Sequence, residues 1–362
     1  MMKKILCLCL VFTCVSCKDR KNLLNLLFPS TIAIDYVDDM YYIGLQIDNM
    51  NSIAKTELET SNSDTKLLVA TSKASTIEEA ILKIEENERS VINLSHVKAV
   101  ILRPNTLNQE ILHDICTYFS HNQELRMDSE VYFTQDNFTD LFSTSFQLSR
   151  SQLYTLINSD EFQRVAMAID TINMMELTKA FNEPDITIHI PVLKVSDQKD
   201  TYITQNGIEK QKVYEINELL YLSKNTHHTI PLKDLAGIQW SKTNNSQIEI
   251  NTTDYSAYST RVFAFIYYNP FDRKYHLKGQ ANIVVNKDNK QRSLSELEII
   301  VKQKVHDQIM HTYKIALENN IDVYNITYLS NIFSCHTEPT IDNFEDELKV
   351  KLHLKGSYIG SY

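Results

Sequence analysis

Glycine is what this chain most lacks. The 362 residues include six, at Gly44, Gly207, Gly237, Gly279, Gly356 and Gly360. Loops that cradle phosphate cluster glycines where backbone must approach a ligand. No GxGxxG, P-loop or nucleophile elbow is present. That argues against nucleotide binding and serine-hydrolase chemistry. Cysteine is equally uninformative once placed. Cys7, Cys9, Cys14 and Cys17 crowd the start, leaving Cys116 and Cys335. Two isolated thiols do not make a disulfide framework, and whether they pair stays open. The simpler reading is two small core residues. After Cys17 no CxxC occurs, so neither a zinc knuckle nor a thioredoxin-type redox pair is supported. Basic residues are outnumbered, 36 against 46 acids, for a net charge of −10. That balance disfavours nucleic acid as a partner and any polybasic grip on anionic lipid. Beyond the first residues no long uncharged apolar run exists, so no transmembrane helix is expected.

What is present begins at the start. Lys3-Lys4 precede an apolar run from Ile5 to Val15, then Ser16-Cys17-Lys18-Asp19. The run is short for a membrane span and suits the core of a secretion signal. A small residue followed by cysteine at the end of that run reads as a lipoprotein signal. Residues 1–16 are the expected signal peptide and Cys17 the expected lipidation site, with 17–30 as a tether. Two acyl chains meet the double requirement for stable anchoring, at about 0.8 kcal/mol per buried methylene. Cys14 stands where leucine is usual in the cleavage box. The competing reading is an ordinary signal peptide with a chance cysteine.

Along the rest of the chain, strand and helix signals alternate. Thr31 to Asp35 and Tyr41 to Ile47 read as a hairpin turned at Asp38-Asp39. Ser75-Thr76-Ile77-Glu78 and Thr106-Leu107-Asn108-Gln109 read as capping boxes, each opening a helix with an apolar stripe. Val97 to Leu102 and Glu130 to Thr134 read as strands around the second helix. This alternation predicts a helix-covered sheet with parallel neighbours. A helical segment over Asp160 to Asn182 ends at Pro184. Ile186 to Val192 reads as a strand in which Pro191 marks an edge. Ile248 to Asn251, Arg261 to Tyr268 and Tyr275 to Val285 read as antiparallel strands. A long amphipathic helix is predicted over 293–320, then extended segments at Ile321 to Tyr328 and Leu348 to Leu354. In the last, Val350, Leu352 and Leu354 alternate with lysine and histidine, so one face meets solvent or a partner. The expected fold is α+β or α/β, in two to three modules, each a mixed β-sheet flanked by α-helices. Residues 31–184 form the N-terminal α/β domain, as one or two modules, and 185–362 the C-terminal one.

These blocks resemble the C subunits of spore germinant receptors, the GerAC-like lipoprotein family. Cys17-Lys18-Asp19-Arg20-Lys21-Asn22-Leu23 is similar to the mature start, although Lys18 replaces a usual tryptophan and Asn22 a usual glutamate. Ser95-His96-Val97-Lys98-Ala99-Val100-Ile101-Leu102 resembles the family's Gly-His-Leu-Lys strand. Asn122-Gln123-Glu124-Leu125-Arg126-Met127 resembles its Asp-Pro-Glu-Ile-Arg segment, and Ile321-Asp322-Val323-Tyr324 its Val-Asp-Ile-Phe strand. The resemblance spans most of the mature chain in matching order. It implies a lipoprotein on the outer face of the spore inner membrane, working in nutrient germination with integral-membrane A and B subunits. It implies no catalytic activity and no cofactor. His96, Lys98 and Arg126 become candidates for partner contact or domain packing.

Other polar clusters carry less. His306 and His311 are five apart, and His227-His228 has no third ligand in view, so no metal site is expected. Cys116 with His113 imitates a dyad, but the cysteine lies on an apolar stripe where a thiol stays protonated. Asp38-Asp39 and Asp342 with Glu345-Asp346-Glu347 lack the turning glycine of a calcium loop. The alternative function is an envelope lipoprotein that captures a small ligand and passes it to a membrane partner. A cell-wall hydrolase has no supporting motif.

Overall fold

The computed structural model describes residues 26–47, 68–143, 171–183, 185–204, 207–223, 226–243, 247–332 and 343–358. Cys17, Cys335 and residues 160–170 of the helical segment expected from Asp160 to Asn182 lie outside them. The first described strand, β1 (Leu26–Leu27), is a short piece. After it β2 (Pro29–Val37) and β3 (Met40–Ile47) form the expected hairpin. Asp38 and Asp39 both take φ 57°, as a two-residue turn between twisted strands requires. β4 (Leu68–Ala74) pairs antiparallel with β3, and helix α1 (Ile77–Glu88) follows. Its cap is Thr76, whose side chain accepts from Glu79 N, while Glu79 reaches back to Ser75. The cap is therefore one residue later than the frame read from Ser75 and Glu78, and Glu79 answers Ser75 rather than the cap residue itself. Ile77, the first buried apolar position, fixes the register.

β5 (Val91–Ile92) pairs with β1, and β6 (Ala99–Leu102) runs parallel to β2. Helix α2 (Gln109–His121) is capped by Asn108 rather than Thr106. Pro104–Leu107 instead forms a 3-10 turn, closed by Thr106 Oγ1 donating to Arg103 O at 2.7 Å. β7 (Glu130–Thr134) continues the parallel ladder. Short helix α3 (Phe138–Ser143) and helix α4 (Met174–Asn182) follow, the latter with a full capping box between Asn173 and Glu176.

β8 (Ile188–Thr204) joins the same sheet. Its Ile188–Pro191 stretch pairs antiparallel with β10 (Glu218–Leu222), and Val192 and Leu193 pair parallel with β7. Pro191 is therefore not on an edge. Its missing N–H falls where pairing passes from one neighbour to the other. β9 (Gly207–Glu215) folds back on β8, and β11 (His227–Pro231) on β10. The order is β11-β10-β8-β7-β6-β2-β3-β4. The sheet thus crosses residue 185, where the sequence reading divided the chain.

One face of this sheet packs on α1, α2 and α4 through Ile32, Ile34, Val100, Leu102, Ile115 and Leu177. The other packs on α3 through Ala33, Ile101, Tyr132, Phe138 and Phe142. Ala99-Val100-Ile101-Leu102 is fully buried, as a parallel strand covered on both faces must be. Gly44 lies beneath α3, where a Cβ would meet Phe138 Cδ2 at 2.8 Å.

The second sheet is β12 (Ile248–Asn251), β13 (Tyr255–Asn269), β14 (Lys274–Asp288) and β15 (Leu348–Tyr358), in that order. Helix α5 (Leu294–Glu318) crosses one face and sets β15 parallel to β14, from Tyr275 opposite Leu348 to Val285 opposite Tyr358. Ser293 and Glu296 cap α5 reciprocally, and Leu297, Val301, Val305, Ile309, Tyr313 and Ala316 form its buried stripe. Arg292 grips Asp288 at 2.5 Å where strand turns to helix. Helix α6 (Ile326–Ile332) replaces part of the extended segment expected at Ile321 to Tyr328. Its start is held by Asp322, whose carboxylate accepts Thr327 N at 2.6 Å. Short α7 (Phe344–Glu347) leads into β15.

Candidate interaction surface

In open α/β sheets, ligands usually bind outside the carboxyl ends of the parallel strands. Here those ends carry Asp35, within β2 just past its parallel pairing with β6, Arg103 after β6, and Gln135-Asp136 after β7. They are tied to one another. Arg103 donates to Asp35 Oδ2 at 2.8 Å and to Gln135 O at 3.0 Å, with its guanidinium 5.7 Å from the Phe138 ring centre. Asp136 accepts Val195 N at 2.6 Å. The groups an enzyme would aim at a substrate are here structural links.

The family-matched residues lie elsewhere. His96 ends a 3-10 turn before β6, exposed, its ring centre 4.7 Å from that of Phe28. Lys98 is exposed, while its backbone joins Ser30 O and Glu130 N. Arg126 grips Asp128 through Nε at 2.8 Å and Nη2 at 2.5 Å, and that bond holds the Asp128 carboxyl below its ordinary range. The three residues therefore offer side chains to solvent around the start of β6 and β7.

Cys116 is buried on α2, and burial pushes its thiol up to about 11, against a hydrogen bond from Thr178 that lowers it. His113 packs against Phe181, ring centres 5.7 Å apart. Among the described residues no three His, Cys, Asp or Glu side chains are grouped to hold a metal. His306 and His311 line an open hollow of about 660 Å³ beside β15, facing Asp307 at 3.6 Å and Asp234 at 3.8 Å respectively. An apolar hollow between α2, α4 and β8 has room for only about 20 Å³.

A further open side-chain assembly is the outer face of the four-stranded sheet. Its inner face, with Val262, Ala264, Leu277, Ala281 and Leu352, is buried. The pleat sends the alternate residues outward. Phe265, Lys278 and Lys351 stand in one row across three strands, Phe263, Gln280 and His353 in the next, then Arg261, Asn282 and Lys355. Ring centres run 6.1 Å from Phe263 to Phe265 and 5.6 Å from Phe265 to Tyr267. Tyr267 stacks on buried His276 at 5.5 Å. His276 and Lys349 both reach Asp272, at 2.8 Å and 3.3 Å. Burial would raise the Asp272 carboxyl, but those two bonds outweigh it and hold it below the ordinary carboxylate range. The alternation in β15 announced half of this face. The aromatic half was hidden, because Phe263-Ala264-Phe265-Ile266-Tyr267 is apolar at both parities.

Residues 19–195 match the family described as spore germination protein N-terminal domain. That segment is similar to the family's domain and spans just under half of the chain. A solved structure, "Crystal Structure of the GerBC protein", aligns over 91% of this chain and 97% of that one, at 12% identity and a TM-score of 0.45. No curated protein matches the chain. By its own sheets and helices the chain is a mixed-sheet α+β protein, with no helix among the described residues long and apolar enough to cross a membrane.

Proposed function

We propose that the chain is the lipid-anchored C subunit of a nutrient germinant receptor, acting without catalysis through contact with integral-membrane A and B subunits. The observation that carries this reading is the family match over residues 19–195. The leader adds to it, since Cys17 follows a short apolar run behind two lysines. Acylation of Cys17 would hold the protein on the outer face of the spore inner membrane. An anchored module meets its partners at high effective concentration, so modest interfaces suffice. His96, Lys98 and Arg126 are assigned to partner contact, and their exposure supports that role. The parallel-strand ends support a non-catalytic part, because Asp35, Arg103 and Asp136 are engaged with neighbours. The test is co-purification from spore inner membranes with the two integral subunits, alongside Cys17→Ala. The reading expects capture of both subunits and release of the variant into the soluble fraction. Unchanged nutrient germination after deletion of the gene, with no paralogue compensating, would overturn it.

A further inference from the structure

The chain sums to −10, yet its outer C-terminal sheet face is cationic and aromatic. Lys351 and Lys355 project from β15, Lys278 from β14 and Arg261 from β13, all exposed. Alternate residues on one strand lie about 6.6 Å apart, so Lys349, Lys351 and Lys355 form a column on β15, with Lys278 and Arg261 on the strands beside it. Among the described residues none of Lys278, Lys351 and Lys355 has a carboxylate in ion-pair range, and Lys349 alone in that column is paired, to Asp272. Phe263 and Phe265 beside them are 47% and 45% exposed, and Phe271 at the hairpin tip is 96% exposed. Among the described residues carboxylates stand at the margins of this face: Glu249 on β12, Asp272 at the tip, and Glu345 to Glu347 ahead of β15. A shallow hollow of about 460 Å³ in this face is lined by Arg261, Phe263, Asn282, His353 and Lys355.

We infer that this face docks on an anionic phospholipid surface. Lysine heads suit anionic headgroups and half-exposed rings suit the headgroup boundary. The face is open and spread over three strands, so a flat array of headgroups can meet its lysines and rings together. Segregated charge also orients the molecule, since the field draws this face to a negative surface while the acidic remainder is repelled. The inference rests on the anchored reading only for bringing a membrane within reach, and it would hold the C-terminal module down as well as the N-terminus.

The test uses the full chain carrying Cys17→Ala, so that no acyl group contributes, with vesicles of phosphatidylcholine alone or mixed equally with phosphatidylglycerol. Lys278→Glu, Lys351→Glu and Lys355→Glu are combined on the face. Lys73→Glu, Lys179→Glu and Lys233→Glu are combined elsewhere as a control of equal net charge. Each membrane-facing lysine is worth about fivefold in binding, so the face triple should bind mixed vesicles at least about a hundredfold more weakly. The control should bind like its parent, salt should weaken the parent, and all three should melt together. Equal losses in both triples would overturn the inference, leaving only net charge. So would equal binding of the parent to both vesicle types. A face triple that still binds mixed vesicles but loses the integral subunits would assign the face to an acidic protein instead. Vesicle binding needs no receptor subunit, so its failure leaves the receptor reading standing.

Discussion

Strand β6 and strand β15 are both flanked by helices, yet they are written in opposite codes. β6 is apolar at every position and fully buried. β15 buries Leu348, Leu352 and Leu354 and exposes Lys349, Lys351, His353 and Lys355. The difference is the second face. Behind β6 lie Phe138 and Phe142 of α3, whereas the described residues place nothing over the lysine side of β15. A sheet covered twice spends its side chains on stability. A sheet covered once keeps a face for something else. Net charge averaged these regions together, which is why an acidic total disfavoured a cationic surface that the fold then assembles.

The sharpest way to break this contrast is to place the same charge on both sheets. Ile101→Asp puts an uncompensated carboxylate between two dry layers and should cost about 5 kcal/mol or abolish folding in urea denaturation. Phe265→Asp, on the open face, should change stability by about 0.5 kcal/mol or less. Next in size is Gly237→Ala. A Cβ there would meet Gln308 O at 2.5 Å and Ile309 Cα at 2.6 Å, backbone of α5 that cannot step aside. The expected loss is about 3 kcal/mol, read as a lower melting temperature.

Arg103→Met should cost about 2 kcal/mol in the same denaturation assay, because Asp35, 3% exposed, loses its cation. The figure is reduced for the 23% exposure of the arginine. Its counterpart on the open sheet, Lys349→Met, should be close to neutral. Last comes the acid dependence of the Asp288–Arg292 clasp. Hydrogen bonds from Arg292 hold the Asp288 carboxyl at about 2, against a burial effect that raises it. A carboxyl held low in the folded chain stabilises above its unfolded pKa of 3.8 and loses that contribution as pH falls towards 2. Melting curves of the parent and Asp288→Asn should therefore converge across that window and differ most above it.

Much of this architecture was legible where local signals agree. The hairpin at Asp38-Asp39 joined a two-period pattern to residues that tolerate positive φ. The stripe of α5 returned every three or four residues from Leu297 to Ala316, beyond the reach of ambiguity. Misreadings arose where two frames fit equally. Ser75 with Glu78 and Thr76 with Glu79 both spell a capping box, and only packing of Ile77 selects the second. Pro191 looked like an edge because sequence shows a missing donor but not which neighbour would have needed it. The helix at Ile326–Ile332 was missed because its support, Asp322, lies four residues upstream, with the buried Tyr324 between. Of the candidate surface, β15 could be read from alternation. The rings of β13 could not, since apolar residues at both parities hide which side they face.

The parallel pairing of β14 with β15 has one more consequence, for the order in which the molecule can be completed. Strand β14 ends at Asp288 and its neighbour begins at Leu348, so the whole of α5 is made and delivered before that border of the sheet is closed. A polypeptide threaded outward from its amino end would carry β14 bare along one side through all of that interval, its backbone donors and acceptors open to any passing strand. The last ribbon is therefore also the latch, and a chaperone that shields unfinished cargo would be needed longest for this half.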